Sequence, residues 1–121
     1  MRVLIVEDER LISLLLARMI EALGHEITGR VPSGEEAIAA LEAEAERPDL
    51  VIMDIHLEGS MDGIEAARRI RERWNIPLAY ASAYSDELTL ERAASTSPLA
   101  FLQKPIYPAK LTLVFEALAK N

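Results

Sequence analysis

Arg2-Val3-Leu4-Ile5-Val6-Glu7-Asp8-Glu9 is the stretch on which the fold turns. Its first five residues form a short, unbroken run rich in β-branched side chains, as a strand covered on both faces requires. The run stops at three consecutive acids and passes into a helical pattern. Working outward, the same alternation recurs four more times. Residues 10–23 predict a helix with Ile12, Leu15, Leu16, Met19, Ile20 and Leu23 on one face and Gly24 as its stop. Residues 26–31 form a weaker strand, suited to a sheet edge. Ser33 and Glu36 have capping-box spacing ahead of a helix that carries Ala37, Ile38 and Leu41 and fades in the charged run before Pro48. Residues 49–54 (DLVIMD) are a third strand. Asp62 caps a helix over 63–74, with Ile64, Ala67, Ile70 and Trp74 on one face. Residues 77–82 form a fourth strand, and a helix near 86–96 ends at Ser97-Pro98. Residues 99–103 form a fifth. Pro108 suits the first turn of a last helix, with Leu111, Val114, Phe115 and Leu118 inward.

Five strand–helix alternations predict an α/β fold, a parallel sheet with helices on both faces and right-handed crossovers. With 121 residues, half of them hydrophobic, residues 1–121 suit one domain with its own core. The absence of cysteine excludes a disulfide framework, a thiol nucleophile and Cys-ligated zinc, and fits a reducing, cytoplasmic setting. The first residues turn polar too early for a signal peptide or a membrane span, so no membrane partner is expected. A net charge of −7 gives no basic footprint for nucleic acid.

In such sheets ligands bind beyond the carboxyl ends of the strands. There stand Glu7, Asp8 and Glu9, then Asp54, Ser82 and Lys104-Pro105. Taken singly, each is ordinary: an acid at a strand end is more often a helix cap, Lys-Pro a surface turn, and a lone serine carries no signal. Four such sites at four strand ends of one sheet make a chemical set. Converging acids repel unless they share a cation, and hard oxygen ligands suit Mg²⁺. A carboxylate is a competent nucleophile toward phosphorus. Phosphoryl transfer otherwise needs positioning and neutralised oxygens, which a lysine ammonium and a hydroxyl supply.

Residues 4–9 (LIVEDE), 48–57 (PDLVIMDIHL), 61–64 (MDGI), 81–86 (ASAYSD) and 101–105 (FLQKP) together resemble the response-regulator receiver domain of two-component systems, over essentially the whole chain. The resemblance implies a (βα)5 doubly wound parallel sheet of order 2-1-3-4-5, flavodoxin-like or CheY-like. It implies that Asp54 accepts a phosphoryl group from a histidine kinase or histidine phosphotransfer protein. Mg²⁺ would be held by Asp8, Asp54 and the backbone carbonyl of His56, with Glu7 acting mainly through water. Lys104 would pair with the phosphoryl group, and the Lys104–Pro105 bond would be cis. Ser82 would be the switch hydroxyl and Phe101 the switch aromatic. The face formed by the fourth helix, fifth strand and fifth helix would then change shape, select a downstream protein and offer a dimer surface. Such a domain catalyses only its own phosphoryl transfer and loss.

Some positions depart from the family pattern. Ser82 stands where threonine is more frequent, and Glu7 where aspartate is. The loop 57–63 lacks a frequent proline and is one residue longer than in many relatives. Strand four is less β-branched than usual, and Tyr80 has no evident role.

His56 and Tyr84 flank the acceptor and the switch hydroxyl; they are either exposed loop residues or set the lifetime of the phosphorylated state. His25 is expected to carry no chemistry, and Trp74 to be packing. Leu14 and Leu113 fall outside their helices' core stripes, as isolated surface leucines or as contacts for donor and reader. A flavin carrier of the same sheet order is disfavoured because the 7–9 loop would repel a phosphate. An Asp-based phosphohydrolase lacks a second acid and a cap. A degenerate receiver is at odds with the complete residue set. A receiver segment of a longer regulator with a C-terminal output domain is the alternative.

Overall fold

The computed structural model describes residues 1–57, 59–83 and 86–120. The chain alternates β1 (Arg2–Val6), α1 (Arg10–Ala22), β2 (Glu26–Val31), α2 (Gly34–Ala43), β3 (Leu50–Asp54), α3 (Gly63–Trp74), β4 (Leu78–Ser82), α4 (Glu87–Ala94), β5 (Ala100–Gln103) and α5 (Pro108–Ala119). The strands form one parallel sheet in the order β2-β1-β3-β4-β5. The order reverses between β1 and β3, so a crevice opens above those two strands. β3 and β4 are buried along their whole length, whereas β2, at the edge, is not.

The sheet divides the core. On one side Val51, Met53, Leu78 and Tyr80 pack with Leu41, Ile64 and Ile70 of α2 and α3. On the other, Val3, Ile5, Ile52 and Ala79 pack with Leu16, Ile20, Leu111 and Phe115 of α1 and α5. Strands three, four and five each begin one residue later than expected, and α4 stops at Ala94.

The face of α1 requires a larger correction. Ser13, Leu16, Ala17 and Ile20 are buried, whereas Leu15, expected inward, is 54 % exposed, and Leu23 is exposed too. The i, i+3, i+4, i+7 row that meets the sheet is 13-16-17-20, which leaves Leu15 about 150° around the helix from the centre of that stripe.

Caps behave as their chemistry requires. The Asp62 Oδ1 accepts from the Glu65 N–H at 2.8 Å, and the Ser33 Oγ accepts from the Glu36 N–H at 3.2 Å. The expected capping box is only half formed, because the Glu36 carboxylate accepts from the Ser33 hydroxyl at 3.3 Å rather than from its backbone. Trp74, half-buried at the end of α3, packs on the core and lies under the Arg73 guanidinium, 4.2 Å from the ring centroid, with that of Arg47 at 5.5 Å. His25 stacks on Phe115 with ring centroids 3.8 Å apart. Among the described residues no helix is long and apolar enough to cross a membrane.

Gly63 fixes where α3 starts. Its N–H donates to the Ile55 carbonyl at 3.0 Å, and a Cβ there would lie 1.9 Å from the carbonyl oxygen of Asp54. Backbone cannot yield as a flexible side chain can. Gly63→Ala is therefore expected to lose at least about 2 kcal/mol of stability in urea denaturation, with the end of β3 displaced.

Candidate functional site: an acidic crevice closed by a lysine

Register brings the strand ends together. Val6 pairs with Met53, so Glu7 and Asp54 leave adjacent strands at nearly the same height. On the other side of β3, Ser82 pairs with Gln103, and the Lys104 N–H donates to the Ser82 carbonyl at 2.8 Å. Four segments distant in sequence thus meet above the middle of the sheet.

Glu7 and Asp54 are each only 5 % exposed, and Asp8 is half-buried beside them. Single carboxylate oxygens of the three lie within 4.8 Å of one another. Two carboxylates in so dry a place would be strongly unfavourable without a counter-charge. Lys104 provides it: its Nζ donates to Glu7 Oε1 at 2.6 Å and to Asp54 Oδ2 at 3.3 Å. The remaining oxygens are also engaged. Glu7 Oε2 accepts from the Glu9 N–H and Asp54 Oδ1 from the His56 N–H, both at 3.1 Å.

Burial alone would push the Lys104 ammonium toward deprotonation. The Glu7 hydrogen bond and the charges of Asp54 and Glu7 outweigh it and hold its pKa above the usual value. A raised lysine pKa contributes stability that is complete below the unfolded value. That contribution is lost only as pH rises through the folded one, on the alkaline side.

The donor set fits a hard divalent cation. It is all carboxylate, its oxygens are close enough to share one ion, and it carries more negative charge than one ammonium offsets. The Lys104–Pro105 bond is cis.

The two residues expected to switch are neighbours in space. Ser82, buried at the end of β4, and Phe101, 45 % exposed on β5, line one pocket of about 330 Å³ with Ile55, Tyr80 and Leu90. The Phe101 ring rests on that of Tyr80 with centroids 5.7 Å apart. His56 is exposed beyond β3. Tyr84 lies outside the described residues.

Tyr80 is the residue that sequence reasoning left without a role. It is fully buried, and its Oη lies 2.6 Å from the Thr96 Oγ1. The signal was present in its chemistry: a phenol in a doubly covered strand must find a polar partner.

Residues 3–116 match the response regulator receiver domain. The chain belongs to that family. It is 42 % identical over 104 residues to the transcriptional regulatory protein PdtaR of Mycobacterium tuberculosis, covering 86 % of this chain and 49 % of that protein. It is 33 % identical over 113 residues to the phyllosphere-induced regulator PhyR of Methylorubrum extorquens, covering 93 % of this chain and 41 % of that one. The chain thus spans about half the length, or less, of these curated relatives. Among solved structures it resembles the signal receiver domain of a modulated diguanylate cyclase from Desulfovibrio desulfuricans G20. There the TM-score is 0.90 at 36 % identity, over 98 % of this chain and 94 % of that one. Receiver domains are signalling domains that work with histidine kinases and effectors.

Removing the Lys104 charge leaves two buried carboxylates facing each other. Lys104→Met is expected to cost about 3 kcal/mol in Mg²⁺-free urea denaturation. Added Mg²⁺ should narrow the gap to wild type.

Proposed function

We propose that this receiver takes a phosphoryl group onto Asp54 from a phosphohistidine donor and signals through the face of α4, β5 and α5. The observation that carries the reading is the convergence of Asp54 with Glu7, Asp8 and Lys104 at one sheet edge. A carboxylate oxygen of Asp54 forms the new P–O bond. The P–N bond to the donor imidazole breaks, and its electron pair stays on that nitrogen, which takes up a proton. Lys104, already in contact with Asp54, then pairs with a phosphoryl oxygen. Mg²⁺ would be held by Asp8, Asp54 and the backbone carbonyl of His56, with Glu7 acting through water. Bound there, it would neutralise phosphoryl charge.

Ser82 serves as the hydroxyl that meets the phosphoryl group, and Phe101 as the ring that turns inward behind it. The pocket the two residues share supports this pairing. His56 and Tyr84 tune the lifetime of the phosphorylated state. Beyond its own phosphorylation and dephosphorylation the domain has no catalytic role.

The donor side is supported by an apolar groove between α1 and the turn after β5. Ile12, Leu15, Met19, Pro105 and Ile106 line it, and Lys104 stands at its wall. The exposed Leu11 and Leu14 lie on the same helix. A helix of a histidine kinase or phosphotransfer protein laid there would bring its histidine beside Asp54. On the reader side, Leu90, Phe101 and Leu113 are exposed on α4, β5 and α5, a surface for a downstream protein or a phosphorylation-dependent dimer. The setting is cytoplasmic, and direct contact with nucleic acid is not part of the domain's role. Residues 1–121 act as one receiver unit. A second reading, a receiver joined to an output domain, is favoured by the fraction of each curated relative that the chain spans.

Incubation with Mg²⁺ and acetyl phosphate tests the acceptor by intact mass. Wild type should gain one phosphoryl group and Asp54→Asn none; equal uptake by both would sink the assignment. Substituting His56 or Tyr84 should alter the decay rate of the phosphorylated form while leaving Mg²⁺ affinity unchanged.

A further inference from the structure

Helix α4 is lightly anchored. Of its eight residues only Ala93 is buried, while Leu88 and Leu90 are exposed. Among the described residues two polar ties reach it from elsewhere in the fold. One is the ion pair of Arg92 with Asp62 at 3.2 Å, with both side chains substantially in solvent, where such pairs contribute little. The other is buried. Thr96, just past the helix, donates its hydroxyl proton to the Ala93 carbonyl at 2.6 Å. A threonine hydroxyl has one proton to give, so in the 2.6 Å contact the Tyr80 O–H donates to Thr96 Oγ1. The result is a two-bond chain, Tyr80 to Thr96 to Ala93, that pins the end of α4 to β4.

The same tyrosine touches the other half of the switch. Its ring is the cross-strand neighbour of Phe101, stacks on it, and walls the pocket that Ser82 and Phe101 share. Helix and ring are therefore held by opposite ends of one rigid, fully buried side chain.

We infer that Tyr80 is a positioning residue of the phosphorylation switch: through Thr96 its hydroxyl holds α4 in the resting arrangement, and its ring holds Phe101 outward. The inference rests on the reading of Asp54 as phosphoryl acceptor. It assigns Tyr80 no contact with phosphate or metal. It sets how readily α4 and Phe101 leave the resting state, and so what fraction of molecules is competent to be phosphorylated.

Tyr80→Phe deletes the tie and keeps the ring, so no cavity forms. Thr96→Val deletes it from the other end, and Thr96→Ser keeps the hydroxyl. Two measurements on each whole chain test the idea: amide hydrogen exchange by segment, and the initial rate of phosphoryl uptake from acetyl phosphate with Mg²⁺. Loss of one neutral buried hydrogen bond should speed exchange across residues 87–96 by about three- to tenfold, with α1 and α3 unchanged. Uptake should rise by a similar factor in Tyr80→Phe and Thr96→Val, and Thr96→Ser should behave as wild type. Exchange that rises equally everywhere would mean a general stabilising role and overturn the proposal. So would faster exchange in α4 with unaltered uptake. No uptake even by wild type would remove the acceptor reading and this proposal with it, a result distinct from wild-type uptake that the variants leave unchanged.

Discussion

Two carboxylates buried at one edge of a parallel sheet must be neutralised, and one ammonium reaches both. Lys104 lies 97 residues from Glu7 and 50 from Asp54, yet its Nζ contacts each. The contact exists only if several conditions hold together. β1 must lie next to β3, the register of β4 on β5 must deliver Lys104 level with Ser82, and α3 must begin hard against the carbonyl of Asp54. Such a cluster is a poor source of net stability, because desolvation offsets much of the attraction. In the proposed function its use is chemical: a concentrated negative charge, only partly offset by one ammonium, exchanges partners when a cation and a phosphoryl group arrive.

Much of this was legible in the residues. The strand–helix alternation follows from periodicity, and the acids, hydroxyl and lysine stood at strand ends because that is where parallel sheets place ligands. What failed has physical reasons. The strand boundaries slipped by one because Asp49, Pro77 and Leu99 bond neighbouring strands without belonging to the strand: the Asp49 carboxylate takes the Arg2 N–H, the Pro77 carbonyl takes the Val51 N–H, and the Leu99 N–H donates to Leu78. The face of α1 was ambiguous because Leu11, Ile12, Leu14, Leu15, Leu16 and Met19 spread apolar groups over about 200° of the helix, while the sheet meets the side that carries the small residues Ser13 and Ala17. Lys104's resting partners were not read, because strand order places its backbone at the site edge without deciding which carboxylates its long side chain reaches. Nor was the role of Tyr80, whose partner Thr96 lies sixteen positions away across a helix.

The odd composition of the fourth strand becomes intelligible in the divided core. Leu78 and Tyr80 face the side of α2 and α3, while Ala79 and Ala81 face that of α1 and α5. Leu102, Leu111 and Phe115 belong to the cluster around those alanines, so bulk comes from neighbouring elements and not from the strand itself. On the opposite face the strand carries its one polar-tipped aromatic, beside Phe101. The same strand therefore has a passive side and a side through which helix and ring can communicate.

Trp74 has a consequence of another kind. Helix α3 starts against the acceptor strand's carboxyl end and runs 12 residues away from it, so its last residue lies about 18 Å along the axis from that end. The indole is held there between the core and two guanidinium groups, at the far end of α3 from Asp54. The single tryptophan thus reports on the integrity of the fold from outside the proposed phosphorylation site.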